Sequence, residues 1–447
     1  MRFTRTTRQI RPKPMNLLKK AVAFLLKLES RLIIAKYKPF IVAVTGSVGK
    51  TSTKDAIYSV LKDQGGYVRK SDKSMNSEIG LPLTVIGVPN AWKSLSGWMN
   101  NLSEGFKLII SKTEYPDTLV LEIGADHPGD IKNVASWLRA DIVVITQVST
   151  TPVHVEFFAS PEEVFEEKAS LAGALKNGGA LILFADNEKV MSIAERVKEK
   201  NPKVISFGIA ENASVKGSDD QVTYAENVPV GLGFTMTIDG APQPVYLKGI
   251  IGKTYMYPLL AAAAVGQARN VPVAAIIDGL NRYDAPKGRM RLIPGMNGST
   301  IIDDTYNSSP DAALAALHTL KSVETSGAKI AVLADMMELG QYSSEQHRSI
   351  GKEIISVVQM LITVGQRSRG TADEALKSGM APDAVHAFDT ALEAAEYLKP
   401  IVKTGDVLLI KGSQSMRMER TVTALMNNPE QAGELLVRQE PEWLDKK

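Results

Sequence analysis

Between residues 45 and 53 the chain reads Thr45-Gly46-Ser47-Val48-Gly49-Lys50-Thr51-Ser52-Thr53, a spacing suited to holding an anion. Gly46 and Gly49 let the backbone curl so that successive N–H groups point inward. The helix expected to follow offers its N-terminal N–H groups and positive dipole end at the same place. Lys50 would neutralise the outer phosphates of a nucleoside triphosphate, and the Thr51 hydroxyl would face a magnesium ion. Val44 stands where the general phosphate-loop pattern has its first glycine. The loop lies directly after the apolar run Phe40–Thr45 and before a helical pattern through Leu61, which favours nucleotide binding over an ordinary glycine-rich turn.

A second candidate is Glu122, at the end of another apolar run within Val120-Leu-Glu-Ile-Gly124. A carboxylate there could reach a magnesium ion beside the phosphates, although a lone acid at a strand end ordinarily faces solvent. His154 precedes Lys168 by 14 residues. Taken alone, that pair is an unremarkable surface histidine and helical lysine.

Together with further segments, these residues resemble the Mur ligase family, most closely its D-alanyl-D-alanine-adding branch. The matching stretches are the loop Thr45–Thr53, Asn76-Ser-Glu-Ile-Gly80-Leu-Pro82, Glu122-Ile-Gly-Ala-Asp-His-Pro-Gly129 and His154–Lys168. They continue with Lys287-Gly288-Arg289, Asp303-Asp-Thr-Tyr-Asn307-Ser-Ser-Pro310, Ala331–Gly340 and Lys411-Gly-Ser-Gln-Ser-Met-Arg-Met-Glu419. They occur in family order across roughly residues 40–425.

The resemblance implies an ATP-dependent, ADP-forming ligase that turns a carboxylate into an acyl phosphate and joins it to an amine. Thr51 and Glu122 would hold one magnesium ion. His154 would bind a second, helped by a carbamylated Lys168, whose added carboxylate supplies the oxygen donor a hard cation takes. Arg289 would reach the γ-phosphate across the domain junction, and Asp304, Tyr306 and Asn307 would lie near ribose and adenine. Lys411, Ser413 and Arg417 would face the incoming amine, here D-Ala-D-Ala, and Lys73 and Asn76 the acceptor carboxylate. The expected acceptor is a UDP-MurNAc-tripeptide-type peptidoglycan precursor.

The chain departs from the family in three places. Only a basic arm precedes the loop, where the family has a domain that holds the uridine end of the acceptor. Tyr255 and Pro258, in Gly252-Lys-Thr-Tyr-Met-Tyr-Pro258, replace two asparagines, so Tyr255 would stack on the base instead. Gln414 replaces the arginine usual after Lys-Gly-Ser.

These residues must be positioned by strands and helices in alternation. Apolar runs at Phe40–Thr45, Thr118–Ile123, Ile142–Thr146 and Ala180–Phe184 are each followed by helix-like sequence, which predicts a parallel sheet covered on both faces. A second alternating series begins at Ser299–Asp303 and continues through Lys329–Ala334, Met360–Val364 and Asp406–Lys411. The expected fold is therefore α/β, with a central ATP-binding domain over residues 39–292 and a Rossmann-like C-terminal domain over 293–447. Residues 203–250 read as short β segments elaborating the first domain.

Composition fits this reading. With 447 residues the chain is too long for one core. The absence of cysteine removes disulfides, thiolate metal sites and cysteine nucleophiles, and suits a reducing cytoplasm. It also excludes an amidating relative built on a four-cysteine zinc insertion. No secretory signal or membrane-spanning run is legible.

Residues 1–38 hold eleven Lys or Arg against the single acid Glu29, a net of +10 that leaves −7 for the rest of a chain totalling +3. From Met15 to Lys38 the pattern is helical, with Leu17, Ala21, Phe24, Leu28 and Leu32 on one side and Lys19, Lys20, Lys27 and Arg31 on the other. Two readings stand: a helix packed on the following domain, or one drawn to anionic lipid at the inner face of a membrane. Nucleic acid is a poor partner, because the arm lacks interleaved aromatics and the body is acidic. A monomer is expected. The alternatives to a peptidoglycan ligase are a Mur-type ligase with a lipid-linked or nucleotide-free acceptor, and a nucleotide-binding regulator without catalysis.

Overall fold

The computed structural model describes residues 17–72, 75–92, 94–125, 127–148, 158 and 160–444. Lys73 and His154, and with them the roles expected of each, lie outside the described residues.

Two sheets organise the chain. The first contains β1 (Phe40–Thr45), β2 (Val68–Lys70), β3 (Thr118–Glu122), β4 (Ala140–Ile145), β5 (Leu175–Phe184), β6 (Lys203–Gly208), β7 (Val215–Ala225), β8 (Val228–Ile238) and β9 (Ala241–Lys248). Its order is β2-β3-β1-β4-β5-β6-β7-β8-β9. Pairing is parallel from β2 to β7, and β7, β8 and β9 form an antiparallel extension. The runs that read as near-continuous apolar sequence are buried on both faces, as parallel strands between helical layers must be. β1, β3 and β4 are almost wholly buried.

The second sheet comprises β10 (Arg291–Pro294), β11 (Thr300–Asp304), β12 (Lys329–Ala334), β13 (Met360–Val364), β14 (Val385–Phe388) and β15 (Val407–Lys411). Its order is β10-β11-β15-β12-β13-β14, with β10 antiparallel at one edge. The strands expected from sequence are present in both sheets.

The helices that matter for the site are α1 (Leu17–Tyr37), α2 (Lys50–Leu61), α3 (Gly80–Ile86), α4 (Leu95–Ile110), α5 (Asp130–Trp137) and α6 (Pro161–Ala169). The helix Met256–Ala268 is apolar all round, buried through most of its length and packed on α2, as a helix enclosed on every side should be.

In α1 the face in the core is not the one the spacing suggested. Ala23, Leu26, Ser30 and Ile33 are buried, whereas Phe24, Leu28 and Leu32 are exposed. The helix is apolar on two sides, and the side that packs is the one that fits against α3 and α4. No described helix is long and apolar enough to cross a membrane.

Candidate functional site

β1 lies between β3 and β4, so the chain leaves its C-terminal end at the point where the strand order reverses. That is where open α/β sheets leave a crevice. The loop there is held by its neighbours. Thr45 is fully buried, and its hydroxyl donates to the Ile123 carbonyl at 2.8 Å. The Thr146 hydroxyl donates to the Val48 carbonyl at 2.7 Å. Gly46 has φ 148°, and a Cβ at that position would fall 2.0 Å from the Thr146 Oγ1, so the loop can approach β4 only without a side chain.

One expectation changes here. The N–H groups of Ser47 and Val48 donate to the Gln147 carbonyl at 2.8 and 3.2 Å, so they do not turn inward. The donors offered to an anion at this point belong to the first turn of α2. Its N-cap, Gly49, is left-handed at φ 84° and provides no side-chain cap, which leaves the helix end to a ligand. Thr45 is accordingly a brace between strands. Lys50 Nζ curls back onto the carbonyls of Gly46 and Ser47 at 2.9 and 3.3 Å.

Register places Val44 of β1 beside Glu122 of β3. The buried Glu122 accepts from the Thr51 hydroxyl at 3.1 Å and from Asn76 Nδ2 at 3.2 Å. Its backbone N–H donates to Ser71 Oγ. Asn76 is thereby placed against the expected metal carboxylate. Thr51 and Glu122 offer a hydroxyl and a carboxylate, hard donors suited to magnesium. No cluster of three or more His, Asp or Glu able to hold a metal occurs among the described residues, and a magnesium site completed by phosphate oxygens and water needs none.

The opposite wall is built from the segment leading into β10, the turn after β11 and Tyr255, just ahead of the helix Met256–Ala268. Gly288 is left-handed at φ 69°, and its carbonyl accepts from the Tyr306 N–H at 2.9 Å. The next residue, Arg289, lays its guanidinium over the Tyr306 ring at 4.3 Å, and its buried Nε has no hydrogen-bond partner. Tyr255 is buried, and its hydroxyl donates to the Arg289 carbonyl at 2.5 Å. Burial pushes that phenol well above its ordinary pKa. Tyr255 thus fixes the arginine segment as well as lining the cavity.

Asp304 and Lys411 are in register at the ends of β11 and β15. Their side chains form an ion pair at 2.6 Å, and Lys411 Nζ also donates to the Asn307 carbonyl at 2.9 Å. The preceding Asp303 is fully buried and pushed up to about 6 by that burial. Its Oδ1 accepts from the N–H and hydroxyl of Thr305, fixing the turn into Tyr306.

These residues bound three connected openings. A cavity of about 410 Å³ is lined by Val48, Gly49 and Ser52 from the loop, with Tyr255, Arg289, Asp304, Asn307 and Lys411 opposite. One of about 280 Å³ joins Lys50, Thr51 and Glu122 to Arg289, Tyr306 and Asn307. A cleft of about 590 Å³ runs from Thr51, Asn76 and Glu122 to Gln414, Arg438 and Trp443. Their sizes suit small-molecule ligands.

Three other expected site residues are buried and do not line these openings. Arg417 is buried; its Nε donates to Glu419 at 2.5 Å and its Nη1 to the Trp443 carbonyl at 2.8 Å, which commits the guanidinium to the fold. Ser413 is buried and accepts from the Met337 N–H at 2.8 Å. Lys168 is buried in α6. Its neighbour Glu167 accepts from the N–H groups of Gly129 and Ile131 at 2.8 and 2.5 Å, tying α6 to the start of α5 and the segment that follows Glu122.

Sequence reasoning missed Phe184, Asp186 and Tyr257, which line the cavity of about 410 Å³ beside Pro258. The Phe184 and Tyr257 rings meet edge to face at 5.0 Å. Phe184 ends a strand expected to be parallel, and that position was the available signal. Trp443 and Arg438 carried none, because they lie past the last recognisable segment.

Two family models match the chain. The Mur ligase middle domain covers residues 44–266, and the Mur ligase, glutamate ligase domain covers residues 288–414. The chain is similar to the UDP-N-acetylmuramoyl-tripeptide--D-alanyl-D-alanine ligase of Bacillus subtilis (strain 168), 29% identical over 390 residues, 87% of this chain and 76% of that protein. The Escherichia coli (strain K12) protein of the same name is 28% identical, over 87% of this chain and 77% of its own. Among solved structures, MurF ligase from Thermotoga maritima in complex with ADP superposes with a TM-score of 0.73 at 24% identity, covering 96% of this chain and 88% of that one. A Mycobacterium tuberculosis folylpolyglutamate synthase complexed with ADP gives 0.64 at 15% identity, covering 93% and 96%. At these identities both structures speak for the fold alone.

Proposed function

The chain belongs to the Mur ligase family, and from that premise we propose that it is an ATP-dependent, ADP-forming ligase adding D-Ala-D-Ala to a UDP-MurNAc-tripeptide-type precursor. The observation that carries this reading is the convergence of Lys50 and Thr51 of α2 and Glu122 of β3 with Arg289, just before β10, and Tyr306 and Asn307, just after β11, on one cavity. The named activity of the relatives in Bacillus subtilis and Escherichia coli supports the choice of substrates.

The reaction sets an anionic carboxylate against a triphosphate, so its barrier is electrostatic. The first-turn N–H groups of α2, Lys50 and the Arg289 guanidinium supply positive charge where the transferring phosphoryl group would sit. Thr51 and Glu122 are the residues that would hold a magnesium ion, which supplies further charge neutralisation when bound. The acceptor carboxylate takes the γ-phosphoryl group and ADP leaves. The amine then attacks the acyl carbon, phosphate departs, and an amide remains. Closure of the C-terminal domain over the site would keep water from the acyl phosphate. The cleft from Asn76 to Gln414 and Trp443 is the place for acceptor and amine.

Several finer features belong to the same proposal. A second magnesium ion would be held by His154 and a carbamylated Lys168, and the protein would act as a cytoplasmic monomer touching anionic membrane through residues 1–38. Domain limits of 39–292 and 293–447 belong to the proposal as well, although β10 (Arg291–Pro294) pairs with β11, so the second sheet starts two residues ahead of that limit. The carbamate is tested by labelling with isotopically enriched bicarbonate: a carbamate signal is expected, and it should be missing from Lys168→Arg.

The activity is tested with purified protein, ATP, Mg²⁺, D-Ala-D-Ala and the nucleotide-linked tripeptide, reading phosphate release and product mass. Release only when both substrates are present, with the pentapeptide product, is the expected result. Equal release without acceptor would refute the reading, and product only from a lipid-linked acceptor would transfer it to that substrate.

A further inference from the structure

Half of the exposed large apolar side chains among the described residues, nine of eighteen, lie in two short segments. On α1 they are Phe24, Leu25, Leu28 and Leu32, with Phe24 66% exposed. On α4 they are Leu95, Met99, Phe106 and Ile110, all at least 57% exposed, with Trp92 at 76% just before the helix. The spacings of three, four and seven residues put each set on one side of its helix. Both helices therefore carry an apolar stripe that faces solvent.

The inner sides of the same helices are already used. α1 buries Ala23, Leu26, Ser30 and Ile33, and α4 buries Asn101 and Gly105. Both rest on α3, where Ser30 Oγ donates to the Pro82 carbonyl at 3.4 Å and Ile86 lies against Gly105. The two helices are also fastened to each other. Lys36 Nζ donates to the carbonyls of Leu108, Ile109 and Ser111 at 2.8, 3.0 and 2.5 Å, satisfying the C-terminal end of α4. The result is a braced two-helix layer, apolar on its outer side. A collection of large exposed side chains on this scale marks an interaction surface.

Charge identifies the partner. Arg31, Lys36 and Lys38 are exposed on α1 and just beyond it, while Lys107 on α4 is paired with Glu104 at 2.6 Å. The sequence of residues 1–38 carries a net +10. Its one acid, Glu29, has a buried Oε2 and lies against Gly105, between the helices. A second copy of this chain would bring two such basic arms together. An anionic lipid surface complements both the apolar stripes and the cations beside them.

We propose that α1 and α4 together form a face that seats the protein on anionic membrane, with the stripes of both helices in the interfacial layer and the exposed cations beside them at the headgroups. This extends the lipid contact proposed for residues 1–38 to a second helix that the sequence did not single out. It is independent of the ligase reading, since its test contains neither nucleotide nor peptide.

The test is sedimentation of the full chain with vesicles of phosphatidylcholine plus phosphatidylglycerol, against vesicles of phosphatidylcholine alone, at low and high salt. Binding to the anionic vesicles, weakened by salt, is expected. Phe106→Asp with Ile110→Asp on α4, and separately Leu28→Asp on α1, should each reduce it about tenfold or more. These side chains are exposed, so thermal unfolding of the variants should match the parent and exclude misfolding as the cause. Equal sedimentation of parent and α4 variant would overturn the proposal. So would a dimer, seen by light scattering and dissolved by the same substitutions, in a protein that ignores vesicles; the face would then join copies of the chain.

Discussion

Replacing Lys411 by methionine should destabilise the C-terminal half of the site as well as weaken nucleotide binding. Lys411 is about 2% exposed, and its ammonium lies 2.6 Å from Asp304, whose side chain is about 12% exposed. Removing one partner of a buried pair strands the other charge, at a cost of about 3–5 kcal/mol. For a domain of this size, about 2–4 °C of melting temperature accompanies each kcal/mol, so a fall of about 6–20 °C is expected. The Asn307 carbonyl also loses its donor, and Asn307 lines the same cavity as Arg289, so nucleotide affinity should fall as well. The assay is thermal and urea unfolding of Lys411→Met, Asp304→Asn and the double variant, with ADP binding measured on each. In the double variant no buried charge is stranded, so most of the lost stability should return while ADP affinity stays low. A Lys411→Met protein as stable as the parent would refute the argument, and would leave the lysine free to serve the amine substrate instead.

Two further outcomes follow from the same kind of reasoning. Gly46→Ala puts a Cβ 2.0 Å from the Thr146 Oγ1 at a backbone conformation that suits glycine; ATP affinity by calorimetry should drop about tenfold or more, for about 1.4 kcal/mol or more, and an unchanged affinity would show that the loop relaxes freely. Glu29 is pushed up to about 7 by burial. The folded state therefore favours its protonated form, and its stabilising contribution is complete below the ordinary carboxylate range and lost as pH rises through about 7. Glu29→Gln should accordingly flatten the stability profile over that window, by about 1 kcal/mol because solvent screens a partly exposed group. An unaltered slope in denaturation midpoints against pH would count against it.

What the sequence determined by itself is local. The glycines, Lys50 and Thr51 follow one another within a few residues, and an apolar run before them with a helical period after them suffices to place a phosphate loop at a strand end. The central strands of both sheets were legible for the same reason, since a strand enclosed by helices is written as a short apolar run, whereas the short strands β2, β10 and β14 were not read from the sequence. The tertiary structure decided whatever depends on residues distant in the chain. The inward face of α1 is set by how Ala23, Leu26, Ser30 and Ile33 fit α3 and α4, and a helix apolar on two sides does not encode that choice. Lys411 meets Asp304 only because β15 pairs with β11 across more than a hundred residues. Arg417 is taken up by Glu419 and Trp443, and the N–H groups of Ser47 and Val48 by Gln147. A side chain's type announces what it can bind, but only the packed fold decides which partner reaches it first, because the energy of a polar contact depends on distance and burial rather than on position in the chain.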